Sequence, residues 1–176
     1  SQVRVSQGDT DSTPFDEGPR ASRVTYTEGQ AAMKACEQMR QAIQDGANLP
    51  LTITVEHDAP QPDDVMYFSA QVAEVEVDRD TGQVKVIRVV TAHDVGTIIN
   101  PMTHQGQIDG GCVTGIGLAV TEELVTEGGQ VLNGSLGDDK LPTTSDSPPL
   151  ETVLVNTGGG EGPYEAKAIG ELANNA

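Results

Sequence analysis

Tyr67-Phe-Ser-Ala-Gln-Val-Ala-Glu-Val-Glu-Val-Asp-Arg-Asp-Thr-Gly-Gln-Val-Lys-Val-Ile-Arg-Val-Val-Thr91 is two apolar-rich runs joined by a short polar turn. Phe68, Ala70, Val72, Val75 and Val77 interleave with polar residues, as side chains on the two faces of a strand do. Asp78-Arg-Asp-Thr-Gly82 supplies the turn, and Gln83 to Thr91 returns as a Val-rich partner. Residues 67–91 are therefore predicted to form a β-hairpin whose exit aims the chain at Asp94-Val-Gly96.

Helical spacing flanks this hairpin on both sides. Ala31, Ala32, Ala35, Met39 and Ile43 recur at that spacing between about Thr25 and Gln44, and Gly46 follows as a stop. Ser22 or Thr25 can supply the capping oxygen, and the free N–H groups of such a helix start form a ready anion site. Beyond Asn100-Pro101, residues Thr103 to Glu123 carry apolar side chains at helical spacing despite many glycines. Each interior glycine forfeits roughly 1 kcal/mol against Ala, so their density points to close approach of a second backbone or of a cofactor. Short strands are expected at Val3–Ser6, Gln130–Leu132, Asp139–Leu141 and Thr152–Val155, with residues 142–149 as a polar, proline-bearing loop. The expected fold is α+β, with antiparallel hairpins packed against two main helices. Its 176 residues suffice for one core or for two small lobes, about 1–92 and 93–176.

A formal net charge of −17, with only ten scattered basic residues, argues against nucleic acid and anionic membrane surfaces as partners. No apolar run reaches membrane-spanning length and no signal peptide is visible, so a cytoplasmic setting is expected. Cys36 and Cys112 are too few for a disulfide framework or an iron–sulfur cluster and have no metal-ligand spacing. Cys112, on an apolar helix face, reads as core. His93 and His104 read as structural or exposed, and His57 offers no ligand partner.

The run Gly158-Gly-Gly-Glu-Gly-Pro-Tyr-Glu-Ala-Lys-Ala-Ile-Gly-Glu171 ends on a carboxylate. Glycine lets the main chain approach a ligand and take φ > 0, and successive N–H groups there can cradle anionic oxygens. A carboxylate beside a water-poor ligand tends towards a raised pKa, which suits a general base near neutral pH. A solvent-exposed turn would carry the same composition.

Three segments in order carry a family resemblance: Gly8-Asp-Thr-Asp-Ser-Thr-Pro14 with Ala21-Ser-Arg23 and Gly29-Gln-Ala31, then Asp94-Val-Gly96 through Gln107-Ile-Asp-Gly-Gly111 with Gly115-Ile-Gly117 and Thr121-Glu-Glu123, then the terminal Gly-rich run. Together they resemble the molybdenum-cofactor-binding subunit of the xanthine dehydrogenase and aldehyde oxidase family of molybdenum hydroxylases. The resemblance implies a molybdenum–molybdopterin cofactor, its cytosine dinucleotide form included, and no protein ligand to the metal. It implies hydroxylation of an aldehyde, purine or N-heterocycle with water-derived oxygen, Glu171 acting as base. Cofactor contacts would come from Ala21, Ser22, Arg23, Gln107, Gly110, Gly111, Lys167 and Gly170. Lys167, four residues before Glu171, could orient that carboxylate if the segment were helical, or could be a surface lysine. The [2Fe-2S] clusters and FAD would sit on partner polypeptides, an iron–sulfur subunit and a flavin subunit. The family's subunit is far longer, so the chain is expected to be a fragment or one piece of a split subunit that needs the remaining molybdopterin-binding half. Many relatives have Gln where Thr114 stands, which would remove one cofactor hydrogen bond. A non-catalytic subunit that keeps the fold and stabilises an assembly is the alternative.

Overall fold

In the computed structural model the described residues are 3–4, 9–13, 15, 18, 22, 24–55 and 67–175. The strand expected at Val3–Ser6 and the Gly8–Pro14 motif fall partly outside them, while His57, Ala21 and Arg23 fall wholly outside.

The hairpin forms as its alternation requires. Strand β1 (Phe68–Val77) pairs antiparallel with β2 (Val84–Asp94), from Phe68 opposite Asp94 to Val77 opposite Val84, with a bulge between Glu74 and Val75. Asp78 builds the turn: its carboxylate accepts the N–H groups of Asp80 and Thr81, and Gly82 takes φ 77° to close it. Those hydrogen bonds, led by Thr81, hold the Asp78 carboxyl below its ordinary pKa.

Strand β5 (Leu150–Val155) then adds to β2 in parallel, so the sheet order is β1-β2-β5 and the sheet is mixed. Helix α2 (Pro101–Val120) is the crossover that a parallel pairing needs. It starts where Asn100 caps the N–H groups of Met102 and Thr103, with Pro101 pre-set for the first turn.

Pairing partners share a face, so Ala73, Val89 and Leu150 form one row towards α2, and Gln71, Thr91 and Thr152 the next. The amide of Gln71 donates to Thr91 Oγ1 and to the carbonyl of Ala173, both at 3.0 Å, and Gln105 of α2 donates to Thr152 Oγ1 at 2.8 Å. Beneath these rows Ile108, Cys112 and Ala173 pack together, with Leu150 and Ile169 at the margin. Burial raises the pKa of the Cys112 thiol, the behaviour of the core residue expected.

Helix α1 (Val24–Gln44) packs against a short 3-10 turn, Pro163–Glu165, rather than onto the sheet. Tyr26, its one buried residue, touches Ala168. A two-stranded ribbon, β3 (Thr126–Glu127) with β4 (Gln130–Val131), and a one-turn helix α3 (Leu136–Asp139) complete the chain. The strand expected at Asp139–Leu141 is replaced by that turn and its cap. Ser135 accepts the N–H of Asp138, and Lys140 closes the helix at φ 63°. Local side-chain capping wins over a weak strand pattern there.

Candidate cofactor site

The three sequence segments converge. The hydroxyl of Ser22, just ahead of α1, donates to the side-chain carbonyl of Gln107 on α2. The Gln30 amide donates to the carbonyl of Glu161 in the terminal loop. At Gly29 a Cβ would lie 2.5 Å from Pro163, so only glycine lets α1 come this close to the loop.

That loop is pinned to the end of β2 by one carboxylate. Asp94 Oδ2 receives the hydroxyl of Thr157 at 2.5 Å and the ammonium of Lys167 at 3.3 Å, while the N–H groups of Gly96 and Thr157 approach Oδ1 at 3.4 Å. The side chains of Asp94 and Lys167 are both 6% exposed. The Thr157 hydroxyl, then Lys167, hold the Asp94 carboxyl near pKa 2, against a burial contribution in the opposite sense. Lys167 thus follows neither reading left open for it, a helical neighbour orienting Glu171 or a surface lysine. The segment is extended rather than helical, and its ammonium reaches Asp94. Residues 165–167 run beside 95–97, with Thr97 N–H donating to Glu165 O at 3.2 Å and Lys167 N–H to Val95 O at 3.1 Å.

Gly160 and Gly162 of the loop, with Gly96 beside it, serve its own folding. A Cβ on Gly96 or Gly160 would lie 2.3 or 2.1 Å from the Glu165 carbonyl, and one on Gly162 would lie 2.4 Å from that of Ala166. Gly111, expected against the cofactor, is instead filled by the chain: a Cβ there would meet Ala173 at 2.8 Å and Asn174 at 2.9 Å. Gly106 and Gly110, on the exposed face of α2 with Gln107, have open space around them. Thr114 continues that face, its hydroxyl spent on the Gly110 carbonyl at 2.9 Å.

Glu171 is exposed, at φ 58° in the turn after half-buried Gly170. Its carbonyl accepts the Asn174 N–H, and this turn is seated on α2 at Gly111. Among the described residues the N–H groups of Gly159, Gly160 and Glu161, and those of Ile169, Gly170 and Glu171, donate to no protein acceptor. Two loops of free N–H groups, the Ser22–Gln107 polar pair and an open glycine face on α2 suit a polar, anionic ligand such as a phosphorylated pterin.

Sequence reasoning missed Asp94 as the anchor of the loop, because its partners lie 63 and 73 positions away. His93 is fully buried, with Nε2 2.5 Å from Thr91 Oγ1. Burial lowers its pKa and that of half-buried His104, the structural role expected. Among the described residues no group of three or more His, Cys, Asp or Glu is placed to hold a metal ion, and no helix is long and apolar enough to cross a membrane.

The anchor carries a prediction with a definite sign. Because the folded pKa of Asp94 lies below its ordinary 3.8, the stability it contributes is whole above about pH 3.8 and is lost as pH falls towards about 2. Asp94→Asn should lower the thermal midpoint at pH 7 and flatten its fall between pH 4 and 2. Melting curves of both proteins across that range test this, and parallel profiles would refute it.

The chain matches the molybdopterin cofactor-binding domain model over residues 1–57 and 50–148, and it belongs to that family. It is 29% identical to a xanthine dehydrogenase molybdenum-binding subunit of Escherichia coli O157:H7, over 97% of this chain and 29% of that protein. It is 27% identical to the carbon monoxide dehydrogenase large chain of Afipia carboxidovorans, over 96% of this chain and 26% of the relative. Among solved structures, a Cu,Mo-CO dehydrogenase superposes with a TM-score of 0.77 at 27% identity, covering 95% of this chain and 26% of that one. The chain thus spans under a third of the length of these relatives.

Proposed function

We propose that residues 1–176 form the C-terminal, cofactor-binding portion of a molybdenum hydroxylase acting on an aldehyde, purine or N-heterocycle. The observation that carries this reading is the convergence of Ser22, Gln107 and the Glu171 turn, from three distant segments, around loops of unpaired N–H groups. When bound, the molybdenum–molybdopterin group, in its cytosine dinucleotide form or another, would supply the redox centre. Ser22 and Gln107 would hold its polar edge, and Ala21 and Arg23, which flank Ser22 in sequence, are proposed as further contacts. Gly110 lets it approach α2, and the Gly159–Glu161 and Ile169–Glu171 N–H groups hold its anionic oxygens. Gly111 and Lys167 act at one remove, by seating the terminal turn and by tying the loop to Asp94.

Glu171 is the general base, its carboxylate accepting a proton from the water-derived nucleophile. Partner subunits carrying [2Fe-2S] clusters and FAD would supply the route for the electrons. The relatives named above, a molybdenum-binding subunit and a large chain, support such partners by being parts of larger enzymes. A cytoplasmic setting accords with two free cysteines, one exposed and one buried.

Molybdenum and pterin analysis of the natively purified protein, with whatever accompanies it, tests this reading. Near-stoichiometric molybdenum in a complex with a larger polypeptide is expected. A folded, metal-free complex from molybdenum-replete cells would instead favour a non-catalytic subunit that only stabilises an assembly.

A further inference from the structure

The turn that carries Glu171 does little to hold itself. The N–H of Leu172 approaches Ile169 O at 3.5 Å and that of Asn174 approaches Glu171 O at 3.3 Å, both long for a hydrogen bond. Glu171 also sits at φ 58°, a strained backbone angle that persists only where the surroundings impose it. Among the described residues the shortest hydrogen bond to this turn comes from the sheet. Gln71 Nε2, on β1, donates to Ala173 O at 3.0 Å, two residues beyond Glu171.

What stands behind the Gln71 amide aims it. A carbonyl can only accept, so the NH2 end and not Oε1 faces Ala173. The same nitrogen donates to Thr91 Oγ1 at 3.0 Å and lies 3.6 Å from Cys112 Sγ. Thr91 and His93 are fully buried on β2, with His93 Nε2 2.5 Å from Thr91 Oγ1. One N–H of the amide is thus anchored on the interior of the sheet, and the other is left facing the turn. Gln71 Oε1 is buried and accepts no hydrogen bond among the described residues. Such an orphaned oxygen destabilises a fold, and an aliphatic side chain of the same length would pack on Cys112 without it. Packing does not account for a glutamine here, whereas holding Ala173 does.

Gln105 makes the comparison. Its amide ties α2 to the same row of the sheet, donating to Thr152 Oγ1 at 2.8 Å and to Asp109 Oδ1 at 2.7 Å, and neither bond reaches residues 169–174. We propose that Gln71 is a positioning residue for Glu171. Its amide passes the fixed geometry of the hairpin to the turn, and so sets where the carboxylate and the Ile169–Glu171 N–H groups stand. The inference rests on the reading of Glu171 as the base, made above.

Gln71→Met and Gln105→Met in the complete enzyme test this, each removing both N–H donors at nearly constant side-chain length. With rates taken per bound molybdenum, Gln71→Met is expected to lower kcat by roughly 10–100-fold, the loss that about 1 Å of misplacement produces, with KM little changed. Deuterium exchange at residues 170–174 should rise in the same protein, while Gln105→Met leaves both kcat and that exchange at the parent's level. Gln71→Asn, which keeps the amide but draws it back by one methylene, is the second variant should the first fold poorly, and it should slow turnover in the same sense. Exchange at residues 170–174 equal in Gln71→Met and the parent, or equal losses of kcat in the two Met variants, would overturn the proposal. Glu171→Gln measured alongside separates the two readings. Faster exchange in Gln71→Met, with full turnover in both it and Glu171→Gln, keeps Gln71 as the support of the turn and removes Glu171 as the base. Full turnover in Gln71→Met alone overturns the positioning role.

Discussion

Glu171→Gln in the complete enzyme should reduce kcat by roughly 10²–10⁴-fold, the usual contribution of a positioned general base, while molybdenum and pterin content stay at the level of the unmodified protein. The amide keeps the length and shape of the carboxylate and removes only the ability to accept and keep a proton. It also leaves the backbone demand unchanged, since Gln and Glu face the same cost at φ 58°. Because Glu171 is exposed and makes no side-chain ion pair among the described residues, folding has little stake in it. That separates catalysis from stability: a thermal midpoint within about 1 °C of the parent is expected beside the loss of turnover. Turnover close to the parent's, in enzyme with full cofactor content, would remove Glu171 from the mechanism. Lost turnover with lost molybdenum would instead assign the residue to cofactor binding.

The parts of this architecture visible in the sequence are those set by near neighbours. The hairpin followed from alternation and from Asp78 and Gly82, and α1 and α2 begin and end within about three residues of their expected bounds. The three motif segments do converge, Ser22 on Gln107 and Gln30 on Glu161. What stayed hidden depends on distant partners. Nothing in Leu150–Val155 announces that it pairs in parallel with β2, because a strand buried on one face carries the same pattern in either direction. Nor does a glycine reveal what approaches it. The space at Gly160 and Gly162 is taken by the loop's own carbonyls and that at Gly111 by Ala173, while Gly106, Gly110 and Gly159 are left open. Lys167 illustrates the same limit, since its spacing from Glu171 left a helical neighbour or a surface lysine open, while the ammonium is committed to Asp94.

Ile108→Ala should cost about 2–5 kcal/mol of stability in this chain, the range for removing a large aliphatic side chain from a closed core. The side chain is fully buried and packs with Cys112 and Ala173 between α2 and the sheet. Few such residues exist among the described residues: the buried apolar set there comprises Tyr26, Val89, Val95, Ile108, Cys112, Ile116 and three alanines. With so small a core, a loss of that size is a large share of the roughly 5–15 kcal/mol typical of a domain, and the thermal midpoint should fall by roughly 5–15 °C. Leu118→Ala, on the same helix but 64% exposed, should change it by about 0.5 kcal/mol or less. The Ile108 effect should also reach the site. Ala173 lies two residues beyond Glu171 and rests on Ile108 and on Gly111, so loosening that contact frees the turn that aims the carboxylate. Faster hydrogen exchange at residues 170–174 in Ile108→Ala, with the hairpin unchanged, is the expected signature. Equal midpoints for the two variants would show that the sheet and α2 are held together elsewhere, and that the Glu171 turn does not depend on this core.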